Sequence, residues 1–96
     1  MSERRKYEIT NESRTVHLLD GRKVTVFRIR ALRDIPRHGV KAGELGGWVE
    51  GTHNLSQYDD CWIDQYARVV GGATVIGNAL IAGRSQVYDK AQVRGN

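Results

Sequence analysis

The last third of the chain, residues 61–96, alternates small, polar and β-branched side chains in a repeat of six residues. Cut every six residues from Cys61, it reads CWIDQY, ARVVGG, ATVIGN, ALIAGR, SQVYDK and AQVRGN. The first position is always small, and the third is always valine or isoleucine. Because alternate residues of a strand point to opposite sides, these two positions predict a short strand with one buried face. Glycine at the fifth position of four hexads predicts regular corners, so the pattern indicates a solenoid.

The same register continues upstream in a weaker form, from Gly43 to Asp60. The residues that fill its first and third positions are Gly43 and Leu45, Val49 and Gly51, and Leu55 and Gln57. This segment is predicted to form a distorted first turn of the solenoid.

Two strands are predicted before the repeats, Thr15–Leu19 and Lys23–Ala31, joined across Asp20-Gly21. Such a dipeptide tolerates the positive φ of a tight hairpin turn. The end of a solenoid has unpaired backbone groups, so a cap is expected there, and the hairpin is predicted to supply it. The candidates for covering the first turn are Phe27, Ile29 and Leu32.

The chain therefore divides into two segments that form one structural unit. Residues 1–42 are predicted to be the hairpin cap and a lead-in loop, and residues 43–96 the repeats. The last turn would be covered on one side only, so a second copy or a partner is expected to cover it.

The repeats resemble the hexapeptide repeat of left-handed parallel β-helix proteins. In that family an inward aliphatic residue is followed four positions later by a small one, as Val69 is followed by Ala73. The segment Lys41–Glu50, KAGELGGWVE, is similar to a core that precedes the repeats in bacterial and prophage acyltransferase-like proteins. The resemblance implies an all-β, left-handed parallel β-helix of about three coils, since three hexads make one triangular coil. It also implies a homo-oligomer, a trimer by analogy.

Composition limits the classes of protein that need to be considered. The chain has 96 residues, 40% of them hydrophobic, and a net charge of +4. The sequence has no apolar run long enough to span a membrane and no apolar signal-peptide region, so a cytoplasmic protein is expected, in the host cytoplasm if a phage encodes it. The single cysteine, Cys61, excludes an intrachain disulfide and is predicted to be a buried filler.

The positive charge is concentrated in residues 1–42, which hold eleven Lys and Arg against five Asp and Glu. Residues 43–96 hold four against six. The candidate basic patch consists of Arg28, Arg30, Arg33 and Arg37. It could address nucleic acid or an acidic partner, but no aromatic interleaving or DNA-binding motif accompanies it, so a solvated basic face is favoured.

Five aromatic residues lie at even-numbered positions of the hexads and are predicted to face outwards. They are Trp48, Tyr58, Trp62, Tyr66 and Tyr88. Aromatic side chains outside a thin core make an apolar surface that is typical of an interface. They are the candidate residues for contact with another chain.

Catalysis by His53 is the alternative that the resemblance raises. Acyltransferases of the β-helix family use a histidine as general base and bind acyl-coenzyme A along the coils. His53 is the one histidine within the repeat region, and a corner residue is the simpler interpretation of it. No nucleophile motif or phosphate loop is present, and Asp59, Asp60 and Asp64 are interpreted as solvated residues and not as a metal site.

Two functions remain open. The leading hypothesis is a non-catalytic binding or assembly module of phage or prophage type, which contacts itself and a host or phage protein and could inhibit a host system. The alternative is a reduced acyltransferase that uses acyl-coenzyme A with His53 as base. The leading hypothesis involves neither a cofactor nor a metal.

Overall fold

The computed structural model describes residues 5–95, so residues 1–4 and Asn96 of the two predicted segments lie outside it. This part of the chain is all-β, with no α-helix and two short 3-10 turns, Pro36–His38 and Thr52–Asn54. The strands are β1 (Tyr7–His17), β2 (Lys23–Ala31), β3 (Leu45–Val49), β4 (Trp62–Ile63), β5 (Arg68–Val69), β6 (Thr74–Gly77), β7 (Leu80–Ile81), β8 (Gln86–Val87) and β9 (Gln92–Gly95). None of the helical segments in residues 5–95 has the length and apolar character needed to cross a membrane.

The repeats stack on one another through three parallel strand pairs. In β4 and β7 Ile63 pairs with Ile81, in β5 and β8 Val69 pairs with Val87, and in β6 and β9 Val75 pairs with Val93. Each residue therefore meets the residue that is three hexads further along the chain. The backbone returns to the same side of the molecule once in every three hexads.

The upstream register was predicted wrongly. Val49 pairs with Val69 and Leu55 bridges to Val75, so Val49 and Leu55 occupy third positions, not first positions. The cause is an insertion of two residues between Leu55 and Ile63. The inserted stretch carries Gln57, whose side-chain oxygen accepts hydrogen bonds from the backbone N–H groups of Lys6 and Tyr7 at 2.8 and 3.2 Å.

The inner core is filled by the small and β-branched residues of the repeats. Buried members include Cys61, Ile63, Ala67, Val69, Ala73, Val75, Ala79 and Ile81. The prediction that Cys61 is a buried filler is confirmed. Val87 and Val93 of the last described turn are half-buried and pack against this core.

The N-terminal hairpin joins the repeats in a single mixed sheet. Strand β2 pairs antiparallel with β1 and with β3, which gives the order β1-β2-β3-β5-β8. Of the three residues predicted to cover the first turn, Ile29 lies in the core, whereas Phe27 and Leu32 are only half-buried. Tyr7, at the start of β1, and the preceding residue Lys6 are fully buried.

A second apolar cluster lies on the outer face of this sheet. Its members are Val16, Leu18, Val26, Trp48 and Val70, with Val24 packed against them. Val70 occupies an even, outward position of its hexad and is nevertheless fully buried. The hairpin therefore covers part of the outside of the solenoid as well as its end.

Both tryptophans were predicted to face outwards, either exposed or in an interface, and both are buried within the chain. Trp48 is 3% exposed because the hairpin covers the outer face around it. Trp62 is 2% exposed and packs into the main core beside Gly46, where an added Cβ would lie 2.6 Å from the Trp62 Cζ2 atom. Outward strand positions become buried wherever another segment of the chain lies over them.

Candidate functional site

Four arginines and two aromatic rings form a cleft on the outer face of the mixed sheet, which we call the arginine cleft. Its lining residues are Arg14, Arg28, Arg68, Arg84, Trp48 and Tyr66, and its volume is about 290 Å³. Strand pairing explains the grouping, because Arg28, Trp48 and Arg68 are direct neighbours across β2, β3 and β5. Directly opposed residues of neighbouring strands share one face of a sheet.

The guanidinium groups of the cleft lie against the aromatic rings. The Cζ atoms of Arg14 and Arg28 are 4.6 and 4.4 Å from the centroid of the Trp48 ring, and that of Arg84 is 5.8 Å from the Tyr66 ring. Cations at these distances are attracted by the negative face of a ring. The rings therefore fix the positions of three of the four charges.

Arg28 is largely enclosed, with 15% of its side chain exposed. Its Nε atom is buried and has no hydrogen-bond partner among residues 5–95. The nearest carboxylate oxygen that it faces belongs to Glu12, at 3.9 Å, which is too far for a hydrogen bond. A buried donor without an acceptor is costly, so the cluster holds Arg28 in place against an energetic penalty.

Among residues 5–95, no nearby carboxylate neutralises the charge of the other three arginines of the cleft. Within the described residues, neither Arg14 nor Arg68 nor Arg84 forms an ion pair with a carboxylate. The four guanidiniums repel one another in the absence of an anion. The cleft is therefore electrostatically suited to a negatively charged group.

The four arginines of the basic patch predicted from the sequence do not form one cluster in the structure. Arg30 pairs with Glu8 at 3.1 Å, and Arg33 and Arg37 pair with Asp60 at 3.3 and 3.4 Å. Although partial burial on its own would raise it, the hydrogen bonds from Arg33 and Arg37 hold the pKa of Asp60 below its ordinary value. Only Arg28 of the four predicted residues belongs to the cleft.

Three of the five candidate contact aromatics are exposed: Tyr58 at 81%, Tyr66 at 61% and Tyr88 at 42%. Tyr66 lines the arginine cleft, and Tyr88 lies beside the tip of the hairpin, next to Leu18 and Leu19. The tip residue Leu19 is 94% exposed. The surface around the hairpin thus offers apolar side chains close to the clustered positive charge.

His53 lies at a corner of the solenoid, with its Nε2 atom 2.8 Å from the carbonyl oxygen of Gly71. A carbonyl oxygen has no hydrogen, so Nε2 must carry the proton and donate it. His38 makes the same type of contact, 3.0 Å from the carbonyl oxygen of Asn78. Both imidazoles thereby stabilise corners of the solenoid. On the His53 ring, Nδ1 is the nitrogen that is left to act as a base.

The acidic residues near the start of the repeats do not come together as a metal site. Asp60 faces Arg33 and Arg37, and Asp59 adopts the left-handed conformation, with φ of 57°. Among the described residues, no group of three or more His, Cys, Asp or Glu side chains is placed to hold a metal ion.

Sequence reasoning missed Arg14, Arg68 and Arg84. Arg68 and Arg84 occupy outward positions of their hexads, and Arg14 lies two residues before Val16 in β1, so the pattern showed on which face each of them lies. Their convergence depends on the pairing of β2 with β3, which no local pattern reveals. A bulge between Ile9 and Ser13 also sets where Arg14 lies along the sheet.

The fold and the cleft define an all-β protein with stacked repeats and a basic outer face. No protein-family model matches the chain. It is similar to a protein of Escherichia coli (strain K12) described as the uncharacterized acetyltransferase YdcK, with 39% identity over 75 residues. The match covers 74% of this chain, and the chain spans 22% of the length of that relative.

Proposed function

We propose that this chain is a binding module, built as a left-handed parallel β-helix, that contacts a partner through its outer surface and holds an anionic group in the arginine cleft. The gathering of four guanidiniums around Trp48 and Tyr66 is the observation that carries the proposal. Arginine binds carboxylate and phosphate through two parallel hydrogen bonds, which suits it to this task.

Apolar contacts complete the proposed surface. Tyr88 and the hairpin-tip residue Leu19 are exposed beside one another, and the cleft lies on the same sheet. Protein contact surfaces commonly combine arginine with aromatic and other apolar side chains. The proposed partner at this surface is a second protein or a second copy of the chain.

An acyltransferase unit is the second candidate, because the E. coli relative is named as an acetyltransferase. Its base would be His53 acting through Nδ1, while Nε2 stays bonded to Gly71. The hydrogen bond from His53 to the carbonyl oxygen of Gly71 explains the presence of this histidine at a corner without catalysis. We therefore favour the binding module.

Two measurements on the purified protein separate the candidates. The first is release of coenzyme A from acetyl-coenzyme A in the presence of hydroxyl and amine acceptors, with the wild-type chain and His53→Ala. The binding module predicts no turnover in either protein. Turnover that is lost in His53→Ala would establish the acyltransferase instead.

The second measurement is the salt concentration that elutes the protein from a phosphocellulose column. The double variant Arg68→Gln/Arg84→Gln removes two charges from the cleft, and Arg30→Gln/Arg37→Gln removes two charges that are already paired with carboxylates. Because a converging cluster binds anions more strongly than paired charges do, the cleft variant should elute at lower salt than the control. Equal elution of the two variants would contradict the proposal.

A further inference from the structure

We infer that the arginine cleft is a polyphosphate site, which binds two or more linked phosphoryl groups carried by a nucleotide or present as a free inorganic chain. The inference rests on the proposed function, because it names the anion that the cleft would hold. It concerns the residues of the cleft alone and does not involve His53.

The first argument is convergence. Arg14 and Arg28 lie within 4.6 Å of one ring centroid, and Arg68 follows Trp48 directly across the sheet. Several cations around one small cleft match a ligand whose charges are equally concentrated. Linked phosphoryl groups share bridging oxygens and place several charges close together, whereas acidic side chains on one face of an extended peptide repeat only every ~7 Å.

The second argument is the number and direction of hydrogen-bond donors. Each guanidinium presents five N–H donors in a planar fork, and phosphate oxygens accept them in pairs. A phosphate oxygen in the cleft would accept from the accessible end of the Arg28 fork, while the more exposed Arg14 and Arg84 bind the outer oxygens.

The third argument is size. A volume of about 290 Å³ accommodates a compact group and not a long strand. A single-stranded nucleic acid would need a basic groove that follows its backbone. The exposed ring of Tyr66 at the edge of the cleft offers a surface on which a base could stack if the phosphates belong to a nucleotide.

The test is isothermal titration calorimetry of the whole chain at low salt, without divalent cations. The titrants are sodium tripolyphosphate, pyrophosphate, ADP, AMP and a hexaglutamate peptide. The proposal predicts that tripolyphosphate, pyrophosphate and ADP bind at least about tenfold more tightly than AMP and the peptide. Preferential binding of the peptide would overturn the polyphosphate assignment and leave the proposed binding module standing. No binding of any titrant would overturn both.

Variants locate the site and identify the source of the phosphates. Arg14→Gln and Arg68→Gln should each weaken binding of tripolyphosphate about tenfold or more, whereas Arg30→Gln should not. Arg28→Lys keeps the charge but removes the guanidinium fork, so it should also weaken binding of tripolyphosphate. Because the Tyr66 ring also positions Arg84, Tyr66→Ala should weaken ADP more than pyrophosphate if the ligand is a nucleotide, and should weaken both to the same extent if it is free polyphosphate. Equal losses in Arg14→Gln and Arg30→Gln would place the binding elsewhere and overturn the inference.

Discussion

The side-chain nitrogen of Lys6 lies 3.0 Å from the sulfur of Cys61, and both side chains are fully buried. The nitrogen also donates to the carbonyl oxygen of Tyr58 at 3.3 Å. Burial lowers the pKa of the Lys6 ammonium below its ordinary value of 10.5, while its hydrogen bond and electrostatic interaction with Cys61 act in the opposite direction. A lysine that is held in this way links the start of β1 to the first turn of the repeats.

The first prediction concerns the pH dependence of stability. Between the lowered pKa of Lys6 in the folded protein and its ordinary value, the unfolded chain binds a proton that the folded chain does not. The free energy of unfolding should therefore rise with pH in this range. Urea unfolding between pH 7 and pH 10 measures the slope, and Lys6→Met should flatten it. An identical slope in both proteins would contradict the burial of an ionisable amine.

The second prediction concerns Tyr7, whose hydroxyl donates to the carbonyl oxygen of Leu55 at 2.5 Å inside the core. Tyr7→Phe leaves that carbonyl without its donor and should lower the free energy of unfolding by about 2 kcal/mol. Tyr58→Phe, at an 81% exposed tyrosine, is the matched control and should change stability little. Equal effects in chemical denaturation would show that Tyr7 is not buried as described.

Tyr7 should also make the free energy of unfolding depend on pH above pH 10. Burial raises the pKa of Tyr7, so above pH 10 the unfolded chain loses a proton that the folded chain keeps. Stability should then fall as pH rises, and this fall should be smaller in Tyr7→Phe.

The third prediction concerns Asn54, a fully buried polar residue. Its side chain accepts hydrogen bonds from the N–H groups of Glu50 and Gly51 and donates to the carbonyl oxygens of Gly71 and Ala73. Because it joins two successive turns, Asn54→Ala should cost about 3 kcal/mol. Asn11→Ala, at an exposed position of β1, is the control. Thermal unfolding that shifts equally in the two variants would argue against this stacking of turns.

The fourth prediction concerns Gly47 in β3. An added Cβ there would meet the Cγ2 atom of Ile63, the carbonyl oxygen of Asp64 at 2.5 Å and that of Ala67 at 2.6 Å. Two of these contacts are with backbone that cannot move away, so Gly47→Ala should destabilise the protein by about 3 kcal/mol or more. Gly51→Ala, which meets only the His53 ring at 3.1 Å, should be tolerated far better. Equal stability of the two variants would contradict the close approach of β3 to the repeats.

The repeat region shows how far the sequence alone leads. The third-position residues Val69, Val75 and Ile81 were predicted to be inward from alternation alone, and they are buried. Alternation is a local property of a strand, so it survives into the folded structure. The upstream register failed because glycine-rich and polar residues around Gly51 and Gln57 do not show where two residues have been inserted.

The outer face shows why the rest could not be predicted. Trp48 lies at an outward position, and no residue near it in the sequence indicates that Val16 and Val26 cover it. The arginine cleft depends on the same long-range packing, because its four arginines come from β1, β2, β5 and the corner before Ser85. Tertiary pairing decides burial in sheets more than local composition does.

The most direct test of the central claim is nuclear magnetic resonance of the arginine Nε–H groups during titration with tripolyphosphate. The account predicts that the signals of Arg14, Arg28, Arg68 and Arg84 shift together and saturate, while those of Arg30 and Arg37 change little. Shifts confined to Arg30 and Arg37, or spread evenly over all six arginines, would contradict the existence of a specific anion site in the cleft.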